Sequence, residues 1–209
     1  MSMVFILNGM EIKKKVGKGR PRAFDANEAL GRALDLFRRQ GYEGTSLTDL
    51  TEAMGINRPS LYAAFGNKEE LFHKALELYT SSADSFMREA MGQPTAQAAV
   101  EHLLFGSAQI GGEKCARGCL LVRGALTGSD DSASVQKELC ARRAANEAML
   151  CKRLEQAQTE GELPADISPT DLARYFSTVL QGLSVQAVGG ASQEELMRVV
   201  QIALSAWPT

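Results

Sequence analysis

The sequence predicts an all-α protein of about nine helices. Apolar residues recur at spacings of three and four along most of the chain, and segments rich in Gly, Ser, Asp and Pro separate these runs. No stretch shows the alternation of apolar and polar residues that is typical of a half-buried strand. With 209 residues, 44% of them hydrophobic, the chain is long enough for one ordinary domain or two small ones.

Residues that favour helix ends divide the first part of the chain into four helices. Ser, Asp and Asn side chains can accept hydrogen bonds from the first free N–H groups of a helix, and glycine readily ends one. These residues predict helix starts at Asp25, Ser46, Asn57 and Asn67, and helix ends at Gly41, Gly55 and about residue 91. Pro59 falls in the first turn of the third helix, where a missing N–H costs nothing.

Five further helices are predicted in the remainder of the chain, which would form a body larger than the N-terminal part. Four of their spans are about 95–110, 119–127, 132–160 and 169–188. The last helix is expected to start at the capping-box sequence SQEE, residues 192–195, and to end near Trp207.

The second and third helices predict a DNA-reading surface. Each is too short to be stable alone, so its apolar side must pack against the first helix. The tight glycine turn between them then leaves polar residues on the outer side of the third helix, which in helix-turn-helix proteins lies in the DNA major groove. Arg58 is predicted to bind a guanine edge, and Asn57 and Ser60 to contact bases or phosphates. Tyr62 is predicted to contact the DNA backbone.

Phosphate contacts are predicted on both sides of this surface. Thr45 and Ser46 would offer hydroxyl groups beside the free N–H groups that begin the second helix, a natural anion site. Lys68 lies in the first turn of the fourth helix, where a cation opposes the helix dipole. A nearby phosphate would explain a lysine in that place.

The charge distribution indicates that only the N-terminal part contacts an anion. Residues 1–66 carry ten Lys or Arg and seven Asp or Glu, the remainder carries 13 and 18, and the net charge is -2. Such asymmetry favours nucleic acid as a partner of the N-terminal part. The segment KKKVGKGRPR, which includes Arg20 and Arg22, precedes the first helix. We interpret residues 1–22 as a flexible basic arm that follows the phosphates or enters the minor groove.

Residues 19–79 resemble a known family. The sequences LDLFRRQGYEGTS, then GI, then LYAAFGNKEELF are similar to the N-terminal domain of the tetracycline-repressor (TetR) family of bacterial transcription regulators. The resemblance implies three DNA-binding helices, a helical ligand-binding body and a homodimer that most often acts as a repressor. By position, it implies DNA contacts by Thr45, Asn57, Arg58, Pro59, Ser60, Tyr62 and Lys68. The chain departs from the family at Thr51, usually alanine, and at Ala63 and Ala64, where many members carry larger residues.

The last two predicted helices carry wide apolar stripes with two interpretations. The stripe residues are Leu172, Val179 and Leu183 in one helix and Leu196, Val199, Val200 and Trp207 in the other. They would pack in the intrachain core, or pair with a second copy in a four-helix interface. Because reading a palindrome requires two-fold symmetry, the dimer interface is favoured.

A ligand pocket is predicted within the body, where aromatic, polar and sulfur-containing side chains occur on several helices. The candidate lining residues are His102, Phe105, Cys119, Met149, Tyr175 and Phe176.

Four cysteines leave a second trigger open: Cys115, Cys119, Cys140 and Cys151. They either pack as small hydrophobic residues or act as redox-sensing thiols, because Lys and Arg residues lie close to them in sequence. Their number and spacing indicate neither a disulfide scaffold nor a zinc site, and the chain has two histidines.

No motif predicts catalysis, a cofactor or a membrane segment. The sequence lacks nucleophile-elbow, zinc-protease, P-loop and dinucleotide patterns, and no apolar run approaches the roughly 20 residues of a membrane helix. The apolar patch Met3–Leu7 lacks the flanking features of a secretory signal, so a cytoplasmic protein that starts at Met1 or Met10 is expected.

We therefore predict a homodimeric DNA-binding regulator with an arm at 1–22, a helix-turn-helix domain at 23–66 and a ligand-binding and dimerisation domain at 67–209. It is expected to repress transcription from a palindromic operator until an unknown small molecule releases it. The alternative is a repressor that senses thiol oxidation in place of a ligand.

Overall fold

The computed structural model describes residues 24–109, 119–122 and 132–208. Within them the chain forms eight α-helices and a short helical stretch at 120–122, and contains no strand. The helices are α1 (Ala26–Gln40), α2 (Leu47–Met54), α3 (Arg58–Phe65), α4 (Lys68–Met91), α5 (Ala96–Gln109), α6 (Ala133–Thr159), α7 (Pro169–Val188) and α8 (Gln193–Leu204). The predicted all-α class is confirmed. The arm at 1–22, with Arg20 and Arg22, and Cys115 lie outside the described residues.

Side-chain caps begin the helices where the sequence predicts them. The Asp25 carboxylate accepts two backbone hydrogen bonds at the start of α1. Ser46, Asn67 and Ser192 form complete capping boxes at α2, α4 and α8. Each cap satisfies backbone donors that have no partner within the helix, so these helix starts are determined by local chemistry.

The N-terminal core is built from α1 to α4. Phe37 and Phe72 are completely buried and meet edge to face, with ring centroids 5.0 Å apart. The two eight-residue helices α2 and α3 contribute the buried Leu50 and Leu61. The same cluster contains Leu120 of the segment 119–122 and the first turns of α6. Tertiary packing therefore stabilises α2 and α3, as their length requires.

Helix α4 belongs to two cores. Its first half, residues 71–76, packs in the N-terminal cluster beyond the predicted domain boundary at residue 66. Its second half packs Phe86 and Ala90 against the body core, which is formed with α5, α6, α7 and α8. Helix α4 therefore connects the body core to the core on which the helix-turn-helix rests.

The apolar stripes of α7 and α8 pack mainly within the chain. Leu183, Leu196 and Val200 are buried in the body core, and Trp207 stacks on Phe176 with centroids 5.9 Å apart. Within one chain these residues therefore pack in or against the body core, and their contacts with a second copy stay a prediction. An amphipathic helix turns its widest apolar stripe toward the nearest core.

Other apolar residues of α7 and α8 remain exposed. Val199 is 45% exposed and Ile202 is 71% exposed on α8, while Val185 and Val188 are exposed on α7. Of the residues predicted for the interface, Val199 therefore keeps a surface position. Leu172 and Val179 are half-buried against the body core.

Candidate nucleic-acid interface and central cavity

A left-handed glycine turn separates α2 from α3. Gly55 has φ 68° and ψ 31°, a conformation that glycine adopts without steric cost. The N–H of Ile56 donates to the Thr51 carbonyl at 3.1 Å, which closes the last turn of α2. Leu61 and Phe65 bury the inner side of α3, so its opposite side faces solvent.

The predicted DNA-reading residues lie together at the start of α3, on what we call the α3 surface: Asn57, Arg58, Pro59, Ser60 and Tyr62. Tyr62 is 49% exposed, and Ser60 is half-buried. The Arg58 guanidinium donates to Thr48 Oγ1 at 3.0 Å across the α2–α3 pair. The Asn57 side-chain oxygen accepts from the Ser60 N–H, so the Asn57 amide nitrogen is the group that can donate outward.

Thr45 is buried, and its hydroxyl does not face solvent. The side chain is 1% exposed, and its Oγ1 donates to the Gly41 carbonyl at 2.7 Å. In the free chain Thr45 therefore fixes the loop between α1 and α2, and its phosphate contact stays a prediction.

Ser46 is exposed and remains a predicted phosphate contact. It also shares a capping box with Asp49: the Ser46 N–H donates to the Asp49 carboxylate at 2.9 Å, and the Asp49 N–H donates to Ser46 Oγ at 3.1 Å. Hydrogen bonding to Ser46 lowers the pKa of the Asp49 carboxyl below its ordinary value. An ionised carboxylate therefore occupies part of the α2 N-terminus.

Lys68 is held against an aromatic ring. Its Nζ lies 4.3 Å from the centroid of Tyr42, a cation–π distance. Burial lowers the pKa of Lys68, while the charge of Glu43 acts in the opposite direction. A phosphate is thus not required to explain a lysine in this turn, because Tyr42 already stabilises the charge. The half-buried ammonium group remains a predicted DNA contact.

Sequence reasoning missed two features that hold α3 in place. Lys74 of α4 donates from Nζ to the Phe65 carbonyl at 2.8 Å, which satisfies an end carbonyl of α3. Gly66 has φ 82°, and a side chain there would overlap the Glu70 carboxylate, which accepts a hydrogen bond from the Asn67 N–H. The need for glycine at position 66 could have been predicted, because Gly66 directly precedes the capping box of α4. Nothing in the sequence indicated that Lys74 would bond to the end of α3.

A mostly apolar cavity of about 170 Å³ lies between α4, α5, α6 and α7 and the segment 119–122, and we call it the central cavity. Phe86, Met87 and Leu150 form part of its wall. An apolar wall with a few polar groups is typical of small-molecule sites. Besides Cys119, the polar lining residues are Tyr79, Ser107, Arg143, Asn146, Glu147, Ser177, Gln181 and Ser184.

Of the six candidate pocket residues, Cys119 lines this cavity. The other five do not line it, and their contact with a ligand stays a prediction: His102, Phe105, Met149, Tyr175 and Phe176. Met149 and Tyr175 are each 40% exposed, and Phe176 is buried in the body core. Their residue types suit a pocket, but residue type does not determine which side of a helix meets its neighbours.

The segment 119–122 joins the central cavity to the N-terminal core. The Tyr79 hydroxyl donates to Cys119 Sγ at 3.4 Å, and Leu120 is completely buried in the N-terminal cluster. Burial raises the pKa of Tyr79, so the phenol keeps its proton at neutral pH. The Tyr79 ring also packs with Arg38 of α1, whose guanidinium carbon lies 5.5 Å from the ring centroid.

Arg143 places a positive charge in the cavity lining. One guanidinium nitrogen donates to the Leu121 carbonyl, and the other donates to Cys140 Sγ at 3.1 Å. Glu147, one turn further along α6, accepts from Arg174 of α7 at 2.7 Å. Among the residues that the structure describes, no carboxylate lies within ion-pair distance of Arg143. The lining therefore contains a paired acid and, among the described residues, a base without a carboxylate partner.

Cys140 and Cys151 cannot form a disulfide with each other within α6. Eleven residues of helix rise by about 16 Å, whereas a disulfide joins Cα atoms roughly 4.4–6.8 Å apart. Cys151 Sγ lies 3.6 Å from Glu155 Oε1 and 3.7 Å from Thr170 Oγ1. A thiol trigger therefore cannot use a disulfide between Cys140 and Cys151 of one α6 helix.

Comparisons with known proteins identify the family. A family model described as bacterial regulatory proteins, tetR family, matches residues 29–75, and a tetracyclin repressor-like C-terminal domain model matches residues 97–203. The HTH-type transcriptional repressor ComR of Escherichia coli (strain K12) is 36% identical over 200 residues, which cover 93% of this chain and 94% of ComR. The chain belongs to the TetR family. It is accordingly a DNA-binding transcriptional regulator.

Solved structures of TetR regulators share the fold of this TetR-family chain. A cysteine mutant of the regulator CifR, complexed with 26-bp double-strand operator DNA, is 44% identical with a TM-score of 0.86 and covers 91% of this chain and 100% of its own. A TetR regulator from Rhodococcus sp. RHA1 is 42% identical with a TM-score of 0.61 and covers 88% of this chain and 99% of its own. None of the helices in the described part of the chain has the length and apolarity to span a bilayer.

Proposed function

We propose that this TetR-family protein is a homodimeric repressor that binds a palindromic operator through the α3 surface and is released by a small molecule in the central cavity. The exposed cluster of donors at the start of α3 is the observation that carries the proposal. In this view the protein acts in the cytoplasm as a regulator rather than as an enzyme.

Base reading is assigned to the start of α3. Arg58 would exchange its hydrogen bond with Thr48 for two hydrogen bonds to a guanine edge, while Asn57 and Ser60 contact bases or phosphates. Pro59 is exposed in the first turn and can pack against the DNA. Tyr62, Ser46, Lys68 and the basic arm with Arg20 and Arg22 would bind the phosphate backbone.

Selection of bound sequences from random DNA tests this part of the proposal. A dimer with one α3 in each of two successive major grooves should select a palindrome with half-site centres about 34–36 Å apart, one helical turn. Recovery of sequences without symmetry, or equal affinity for selected and random DNA, would count against it.

The dimer interface is proposed on α7 and α8, at the apolar residues that one chain leaves exposed. Replacing Val199 and Ile202 together by glutamate would bury charges in the interface, so the variant should run as a monomer in size-exclusion chromatography with light scattering and lose operator binding. Gln201→Glu, an exposed polar position on α8, is the matched control and should remain dimeric. If the double variant remained a dimer, the interface would have to lie at other residues.

For a ligand to release DNA, it must bind more tightly to a geometry of the dimer in which the two α3 helices no longer match successive major grooves. A hundredfold loss of DNA affinity corresponds to a preference of about 2.7 kcal/mol. Helix α4 supplies the connection, because Phe86 lines the cavity while residues 71–76 of the same helix support α3.

A thiol trigger at Cys119 is the second candidate function, supported by its position in the cavity and its hydrogen bond from Tyr79. Oxidation of Cys119 would break this bond and displace the segment that carries Leu120. Peroxide should then release operator DNA from the wild type and from Cys140→Ser and Cys151→Ser variants, but not from Cys119→Ser. Release that persists in Cys119→Ser would eliminate this candidate.

A further inference from the structure

The central cavity combines a cation with a mostly apolar lining. The half-buried Arg143 guanidinium donates to the Leu121 carbonyl and the Cys140 sulfur, and neither acceptor is a carboxylate. Glu147 is paired with Arg174, so it does not serve as the counter-charge of Arg143. A guanidinium beside apolar walls is stabilised most by an acceptor that carries a negative charge.

The volume of the cavity indicates the size of the apolar part of a ligand that fits it. A volume of about 170 Å³ is close to that of an engineered cavity, about 150 Å³, that binds benzene. The walls near Phe86, Leu103 and Leu180 are apolar. A ligand that fits these walls has an apolar body of about one ring, or a short alkyl chain.

We propose that the effector is a small monocarboxylate whose anionic group binds the Arg143 guanidinium and whose apolar body fills the central cavity. The proposal rests on the proposed function and names the ligand class for its cavity. The two guanidinium nitrogens now donate to separate acceptors, and together they form a fork whose two hydrogen bonds a carboxylate can accept side by side.

Binding of the carboxylate at Arg143 also provides a route to the DNA-binding helices. The carboxylate competes with the Leu121 carbonyl for the same guanidinium. The segment 119–122 would then lose its hydrogen bond to Arg143. Leu120 in that segment is packed with the buried residues of α1 and α4. A shift of this segment therefore repacks the core on which α3 rests.

Matched acid and amide pairs test the proposal on the full-length dimer. Benzoate, phenylacetate and hexanoate would each be compared with the primary amide of the same shape, by ligand-observed NMR for binding and by fluorescence anisotropy for release of operator DNA. At least one carboxylate should bind about tenfold or more tightly than its amide, because charge-assisted hydrogen bonds are roughly twice as strong as neutral ones. The same acid should release the operator.

Variants of Arg143 assign the preference to this side chain. In the NMR comparison, which needs no DNA, Arg143→Gln should lose the preference for acid over amide, and Arg143→Lys should retain part of that preference. Lys152→Gln, an exposed position on the same helix, should behave as the wild type. Thermal midpoints of all variants separate a binding effect from a loss of folding.

Equal binding of acids and amides, no binding of any of the three acids, or an Arg143→Gln variant that still prefers the acid would overturn the proposal. A wild-type protein that does not distinguish operator from random DNA would instead overturn the proposed function. The NMR comparison does not require DNA, so the two failures are distinguishable.

Discussion

Replacing Arg58 by alanine is expected to weaken operator binding strongly without destabilising the protein. In the free chain, Arg58 is exposed and donates to the exposed Thr48 at 3.0 Å, so its loss should change the free energy of unfolding by no more than about 0.5 kcal/mol. In the complex, a two-pronged contact with guanine contributes about 1–3 kcal/mol for each copy. A dimer has two copies, so the loss is about 2–6 kcal/mol, or at least about 30-fold in affinity.

Fluorescence anisotropy with the selected operator, repeated over a range of salt concentrations, measures this effect. A lost base contact should relax specificity at one position of each half-site, whereas a lost phosphate contact would reduce the salt dependence and weaken all sequences alike. Lys152→Ala, on an exposed side of α6, is the control and should leave the affinity unchanged. An Arg58→Ala affinity within threefold of the wild type would refute the assignment of α3 as the reading helix.

Three further predictions concern the support of the α3 surface. Thr45→Val should lower the free energy of unfolding in urea by about 1–2 kcal/mol, because the Gly41 carbonyl loses its donor. Thr45→Ser keeps the hydroxyl and should retain most of the wild-type stability. If Thr45→Val were as stable as the wild type, the buried hydrogen bond would contribute little. Leu120→Ala should cost about 2–5 kcal/mol in the same assay, since the side chain is fully buried in the N-terminal core, and a loss below 1 kcal/mol would place the segment 119–122 outside that core. Because the pKa of Asp49 is lowered in the folded chain, the contribution of its carboxylate to stability is present at neutral pH and is lost as the pH falls through that lowered pKa. Ser46→Ala should raise the pKa of Asp49 in an NMR titration of the carboxyl carbon. An unchanged pKa would contradict the role of the capping box.

The helices and the position of the α3 surface could be predicted because they depend on short-range chemistry. The caps at Ser46 and Asn57 bond to N–H groups three residues further on, and Gly55 supplies the left-handed turn by itself. The family resemblance lies in the same region for the same reason, since the residues of the helix-turn-helix are close neighbours in the chain. The hydrogen bond from the Thr45 hydroxyl to Gly41 could not be predicted, because sequence spacing does not reveal how the loop turns this side chain.

The central cavity and the split between core and surface on α7 and α8 depend on contacts between distant parts of the chain. Leu196 and Val199 are both apolar members of one stripe, yet Leu196 is buried while Val199 is 45% exposed, because the neighbouring helices cover one and not the other. Tyr79 and Arg143 meet around one cavity only through the packing of α4 and α6. The sequence by itself determined which segments become helices and which end of α3 carries donors. Which helix faces meet, and hence what encloses a ligand, was decided by tertiary packing, since apolar periodicity states that a face is buried but not what buries it.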